Sequence, residues 1–133
     1  MVVFEHDKMM ITRQTKGGIP NLPFLDVKDE ILGNEYELSL VFPTIELATD
    51  LHIQWKKKDG PVNILSFPLD ERSGEIFITL SQARKEARKF DRSYGNHLMF
   101  LFIHGCLHLK GMTHGHLMEK SEKKYFSKFE QKK

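Results

Sequence analysis

With one cysteine in 133 residues, the chain cannot form an intramolecular disulfide, which suits a reducing cytoplasm better than a secreted, cross-linked scaffold. Long hydrophobic runs are also missing. The longest, Leu98 to Ile103, falls far short of the roughly 20 apolar residues a membrane-spanning helix needs. The opening residues, Met1-Val2-Val3-Phe4-Glu5-His6, lack the basic start and long apolar core of a secretory signal. There is no repeat, no low-complexity tract and no linker long enough to divide the chain. What remains is 40% hydrophobic and 29% charged, the composition of a single globular domain large enough for a real core.

The formal net charge of +2 is small, but it is unevenly spread. Residues 1–55 carry four Lys/Arg against nine Asp/Glu, and residues 56–133 carry sixteen against nine. The basic half would attract a polyanion through Coulomb attraction and counterion release, although lysine-rich faces are also commonly just solvated.

That half contains the run His104-Gly105-Cys106-Leu107-His108-Leu109-Lys110-Gly111-Met112-Thr113-His114. Residues four apart share a helix face about 6 Å apart along the axis, so His104 and His108 can converge on one ion. Gly111 suits the positive φ that ends a helix and folds the chain back, returning His114 toward the same point. Three neutral imidazoles leave the fourth position of a zinc ion open to water, as in catalytic rather than structural sites. One zinc per chain is therefore expected, with His116 the rival third ligand. The spacing is also that of the zinc-protease motif H-E-x-x-H-x-x-G-x-x-H, whose glutamate is the general base. Here Gly105 takes that position, which weakens a peptidase reading. Cys106 lies about 200° round the helix from the histidine face and reads as core packing.

His104 to His114 resemble the H-G-x-L-H-L-x-G-x-D-H pattern of the bacterial YbeY endoribonucleases, zinc proteins of ribosomal RNA maturation. Lys58-Asp59-Gly60-Pro61-Val62-Asn63-Ile64-Leu65-Ser66-Phe67-Pro68 is similar to that family's K-D-x-P-T-[DN]-V-L-S-F-P segment, and Gly74-Glu75-Ile76 stands where the family has G-D-I. The likeness runs from about Ser39 to Phe129. Three positions depart from it: Thr113 replaces an aspartate, Val62 a threonine, and Lys56 the usual arginine. The resemblance implies the YbeY fold and hydrolysis of single-stranded ribosomal RNA in maturation of the small-subunit 3′ end and ribosome quality control. The ribosomal small subunit or its associated proteins would be partners. It also implies a catalytic, charge-stabilising role for Lys56, assisted by Lys57 or Lys58, and a cleft lined by the segment holding Asn63 and Ser66. His97, on the histidine stripe but about 10 Å from His104 along the axis, is a candidate substrate contact or an ordinary capping histidine. Two other readings stay open. One is a zinc peptidase or amidase using a glutamate such as Glu75 or Glu119, and the other a ribosome-associated protein that binds RNA without cutting it.

The patterning predicts a compact α/β domain with a small mixed sheet of about four strands covered by about five helices. Strands are expected at about Val2–Glu5, around Leu38, Leu40 and Phe42, at Ile64–Phe67 and at Glu75–Leu80. A polar loop should follow the first. Helices should begin after Asn21, Thr44 and Ser81 as caps. The second should bury Leu47, Ala48, Leu51 and Trp55, and the third Ala83, Ala87 and Phe90. A helix over His97–Leu109 is apolar nearly all round and should be central and buried. The last, from about Leu117 to Lys128, carries Met118, Tyr125, Phe126 and Phe129 at helical spacing.

Overall fold

The computed structural model describes residues 1–56 and 62–131. Strands β1 (Val2–His6) and β2 (Met9–Arg13) form a hairpin, followed by helix α1 (Phe24–Leu32), β3 (Glu37–Phe42) and helix α2 (Ile45–Lys56). A second hairpin, β4 (Ile64–Asp70) and β5 (Ser73–Ile78), leads to helices α3 (Leu80–Lys89), α4 (Tyr94–Leu109) and α5 (His116–Phe129). The strands make one mixed sheet in the order β1-β2-β3-β5-β4. Both hairpins are antiparallel, while β2-β3 and β3-β5 are parallel. Parallel neighbours need crossover connections, and α1 and α2 supply them. The mixed α/β fold with five helices is the expected one, with β2 added where a polar loop was expected.

Side chains alternate across the sheet with period two. Leu38, Leu40, Phe42, Ile76 and Ile78 enter the main core with α1 and α4, and Leu65, Phe67 and Phe77 form a smaller cluster with Ala48 and Leu51 of α2. The sheet is thus covered on both faces. Helix α4 is the hub, as expected: α1, α3 and α5 pack on it and it lies against β4 and β5. Nine of its residues are buried, so it needs no polar face. Ser93 caps it by accepting a hydrogen bond from Asn96 N at 3.1 Å.

Several boundaries differ from expectation. Asn21 does not cap α1; Pro23, at φ −79°, stands at the N-cap and the helix starts at Phe24. Thr44 does cap α2, accepting from Leu47 N at 3.2 Å. Helix α3 begins at Leu80 with Thr79, not Ser81, at its N-cap. The ladder ends where Thr79 N donates to Asn63 O at 2.9 Å, and Thr79 O at once accepts from Ala83 N. Leu80 therefore belongs to the helix. Trp55 and Phe90 lie at helix ends, against the rings of Phe67 and His97, and are 61% and 55% exposed instead of buried. No helix among the described residues is long and apolar enough to cross a membrane.

Candidate metal centre

Helix α4 supplies His104 and His108 from its last two turns, one above the other. Gly111, at φ +106°, reverses the chain. Its N–H donates to His108 O at 3.0 Å and Met112 N donates to Leu107 O at 3.0 Å, the paired bonds of a glycine-terminated helix. The reversal brings His114 back. Its ring centroid lies 5.2 Å from that of His104 and 4.7 Å from that of His108. One ring nitrogen from each of the three lies within 4.8 Å of the others, and this triad is the group of potential metal ligands found among the described residues. His116 starts α5, exposed and outside it.

The partners of the rings fix their tautomers. The Nδ1 of His108 faces Met112 O at 3.1 Å, and a carbonyl only accepts, so that nitrogen carries the proton. The Nδ1 of His104 is in close contact with Oε2 of Glu122 on α5, a carboxylate that is itself buried. Both Nε2 atoms then present lone pairs, and they face each other 3.0 Å apart. Two lone pairs held that close repel unless a cation sits between them, and two nitrogens of a tetrahedral zinc ion are separated by about 3.3 Å. The donor set therefore fits zinc. A carboxylate or carbonyl behind each ligand is the usual way such rings are oriented. Thr113, where the related pattern has aspartate, lines the cleft without a carboxylate, and Glu122 brings one from the next helix.

Gly105 has a steric role. A Cβ there would lie 2.8 Å from Ile64 Cδ1, 3.0 Å from Ile76 Cδ1 and 3.1 Å from Ser66 Oγ. Its bare backbone lets α4 press onto the sheet, and any side chain there would have to displace the ends of Ile64, Ile76 and Ser66. Cys106 is fully buried in the core, where burial pushes its thiol far up, as a packing residue rather than a nucleophile.

The histidines open into a cleft of about 870 Å³ bounded by α4, β4, the end of α3 and the His114 loop. Asn63, Ser66 and His97 all line it. Their polar atoms are engaged with the protein. Ser66 Oγ donates to Gly105 O at 3.4 Å, and Asn63 Nδ2 donates to Glu86 Oε1 at 3.1 Å. His97, 2% exposed, meets the same Glu86 oxygen through Nε2 at 3.0 Å and Arg92 through Nδ1 at 3.3 Å. Burial alone would raise the Glu86 carboxyl, but hydrogen bonds from His97, Asn63 and Gln82 outweigh it and hold it below the usual carboxylate range. Neither Glu75 nor Glu119 lines the cleft. Lys56 closes α2, its side chain beyond what is described, and Lys57 and Lys58 lie outside the described residues. Sequence reasoning missed Glu122, Glu86 and Phe90 as parts of this site. Each arrives by packing of a separate element on α4, which no local spacing encodes.

A family profile described as Endoribonuclease YbeY matches residues 5–132. Curated relatives bearing that name include one from Rhizobium etli, 36% identical over 59% of this chain and 51% of its own. Another, from Persephonella marina, is 35% identical over 65% of this chain and 60% of its own. A third, from Halalkalibacterium halodurans, is 30% identical over 77% and 73%. The matched region thus spans between half and three fifths of the length of the first two. The solution structure of TM1509 from Thermotoga maritima superposes with a TM-score of 0.60 at 25% identity, covering 90% of this chain and 87% of that one.

Proposed function

The chain belongs to the YbeY endoribonuclease family, and from that premise we propose that it hydrolyses phosphodiester bonds of single-stranded RNA with one zinc ion held by His104, His108 and His114. The observation that carries the metal reading is the pair of Nε2 lone pairs 3.0 Å apart with His114 beside them, at one end of an open cleft. Glu122 and the Met112 carbonyl hold two of the rings in the ligating tautomer, and the Gly111 turn presents the third. A zinc ion in that position would lower the pKa of water toward about 7 and draw charge from a phosphoryl oxygen. Lys56, with Lys57 or Lys58, is proposed to stabilise phosphate charge, and the segment 63–67 to flank the substrate. The excess of basic residues in 56–133 supports a polyanionic substrate. We place the reaction in maturation of small-subunit ribosomal RNA in the cytoplasm, with the ribosomal small subunit or its associated proteins as partners.

Peptide hydrolysis fits less well. A glutamate at position 105 would crowd the sheet, Glu75 and Glu119 do not line the cleft, and Glu86 and Glu122, which do reach the site, are each held against a histidine ring. The test is metal analysis of the purified protein joined to cleavage of single-stranded RNA with and without chelator. One zinc per chain, with chelation abolishing cleavage and zinc restoring it, is the expected result. A chelator that mainly lowers the melting temperature of a protein that never cuts RNA would instead mark a structural ion.

A further inference from the structure

Two consecutive residues after α3 are anomalous. Phe90 follows Ala83 and Ala87 at helical spacing, yet the residue is 55% exposed, on the wall of the metal cleft. Asp91 has φ +53°, the one non-glycine residue at positive φ among those described. Its N–H donates to Arg88 O at 3.2 Å and Arg92 N donates to Ala87 O at 2.9 Å. These are the bonds that terminate α4 at Gly111, made here by a residue that tolerates the left-handed region at a cost. Strain of this kind collects at functional sites. This turn holds Phe90 and Arg92 against the cleft.

The exposed ring is the outer rung of a ladder. Phe90 stacks on His97, with centroids 5.7 Å apart and planes at 19°. His97 stacks on Phe100 at 6.2 Å and 18°, and Phe100 on His104 at 6.5 Å and 30°. His97, Phe100 and His104 are one stripe of α4, so the ladder runs from the metal ligands to the rim. Its middle rung is locked, because both ring nitrogens of His97 are engaged by Glu86 and Arg92. The guanidinium of Arg92 lies 4.2 Å above the Phe100 ring and 5.3 Å from that of Phe126. One in-plane nitrogen meets His97 Nδ1 at 3.3 Å, and stacking by its face leaves the remaining in-plane donors for an anion.

An exposed aromatic face on a rigid support, beside a planar cation, matches a nucleobase and its phosphate. Resting on the endoribonuclease reading, we propose that Phe90 and Arg92 form a subsite in which an unpaired base near the scissile bond stacks on Phe90 while Arg92 takes an adjoining phosphate. The subsite would favour single strands, since a base inside a duplex cannot offer its face.

The test is single-turnover cleavage of a fluorescent single-stranded RNA by the zinc-loaded full chain, read as the half-saturating protein concentration. Phe90→Ala should raise that concentration about ten- to a hundredfold with melting temperature and zinc content unchanged. Phe90→Leu, which keeps apolar bulk without a ring face, should behave like Ala, and Phe90→Trp like the native protein. Oligonucleotides abasic at successive positions should include one on which Phe90→Ala has no further effect. Arg92→Ala should reduce the salt slope of binding by about 0.7. The subsite is overturned if Phe90→Ala or Phe90→Leu saturates within twofold of native protein, or if no abasic position removes the Phe90 effect. A native protein that neither binds nor cuts RNA, or that takes unstructured peptides instead, overturns the endoribonuclease reading along with it.

Discussion

At the scale of single residues, Glu122 separates what local spacing encodes from what packing adds. The three histidines were legible because a helix pair, a glycine and a third histidine follow in register. Glu122 was not, because it meets His104 only through the packing of α5 on α4. Orienting carboxylates typically contribute about 10- to 100-fold in metal affinity. Glu122→Ala should therefore weaken zinc binding by about that factor, measured by competition with a chromophoric chelator, and Glu122→Gln by less, since its amide oxygen still accepts from Nδ1. Unchanged affinity in both variants would show that His104 needs no orienting partner. Gly105 was read from sequence as a missing base, and the structure adds that a side chain there would crowd Ile64, Ile76 and Ser66. The atoms its Cβ would meet are ends of side chains, so Gly105→Ala should cost about 1–3 kcal/mol through overpacking, seen as a lower denaturation midpoint with an unchanged m-value.

At the scale of elements, most helix and strand interiors were legible, while ends were legible only where a cap such as Thr44 or a stop such as Gly111 marks them. The alternation of Met9 and Ile11, buried, with exposed Met10 marks β2. Five residues beside the charged Asp7-Lys8 turn were too short a signal, and only pairing with β1 and β3 makes the strand visible. Trp55 and Phe90 keep helical spacing at helix ends, where Phe67 and His97 meet their rings without covering them, so periodicity alone assigned them to the core. The end of α3 carries a prediction of its own. Asp91 occupies a left-handed position that costs a non-glycine residue about 1 kcal/mol, so Asp91→Gly should raise stability by up to about that amount, or a few degrees in Tm. The hydrogen bonds to Arg88 and Ala87 use backbone only and should survive. A drop in Tm would mean that the aspartate side chain contributes more than its backbone costs.

At the scale of the whole molecule, Glu86 joins parts that the chain order keeps apart. From α3 it accepts from Gln82 in its own helix at 3.3 Å, from Asn63 at the start of β4, and pairs with His97 of α4. It thereby ties the helical layer to the sheet edge at the wall of the cleft, and the residues read from sequence as substrate contacts, Asn63 and His97, meet through it. Because those hydrogen bonds overcome burial, its carboxyl titrates below the ordinary value of 4.5. The sign of the linkage follows. A carboxyl with a lowered folded-state pKa binds fewer protons folded than unfolded, so its contribution is complete above about pH 5 and is lost as pH falls through the folded-state value. Glu86→Gln keeps one acceptor and the shape but removes the charge. It should cost about 1–2 kcal/mol at pH 7, in the range of hydrogen bonds to a charged group. Between about pH 5 and pH 3 its stability should also fall less steeply than that of the native protein. Urea midpoints taken across that range for both proteins give the comparison directly, and parallel curves would mean that Glu86 is not the carboxylate through which acid loosens the cleft.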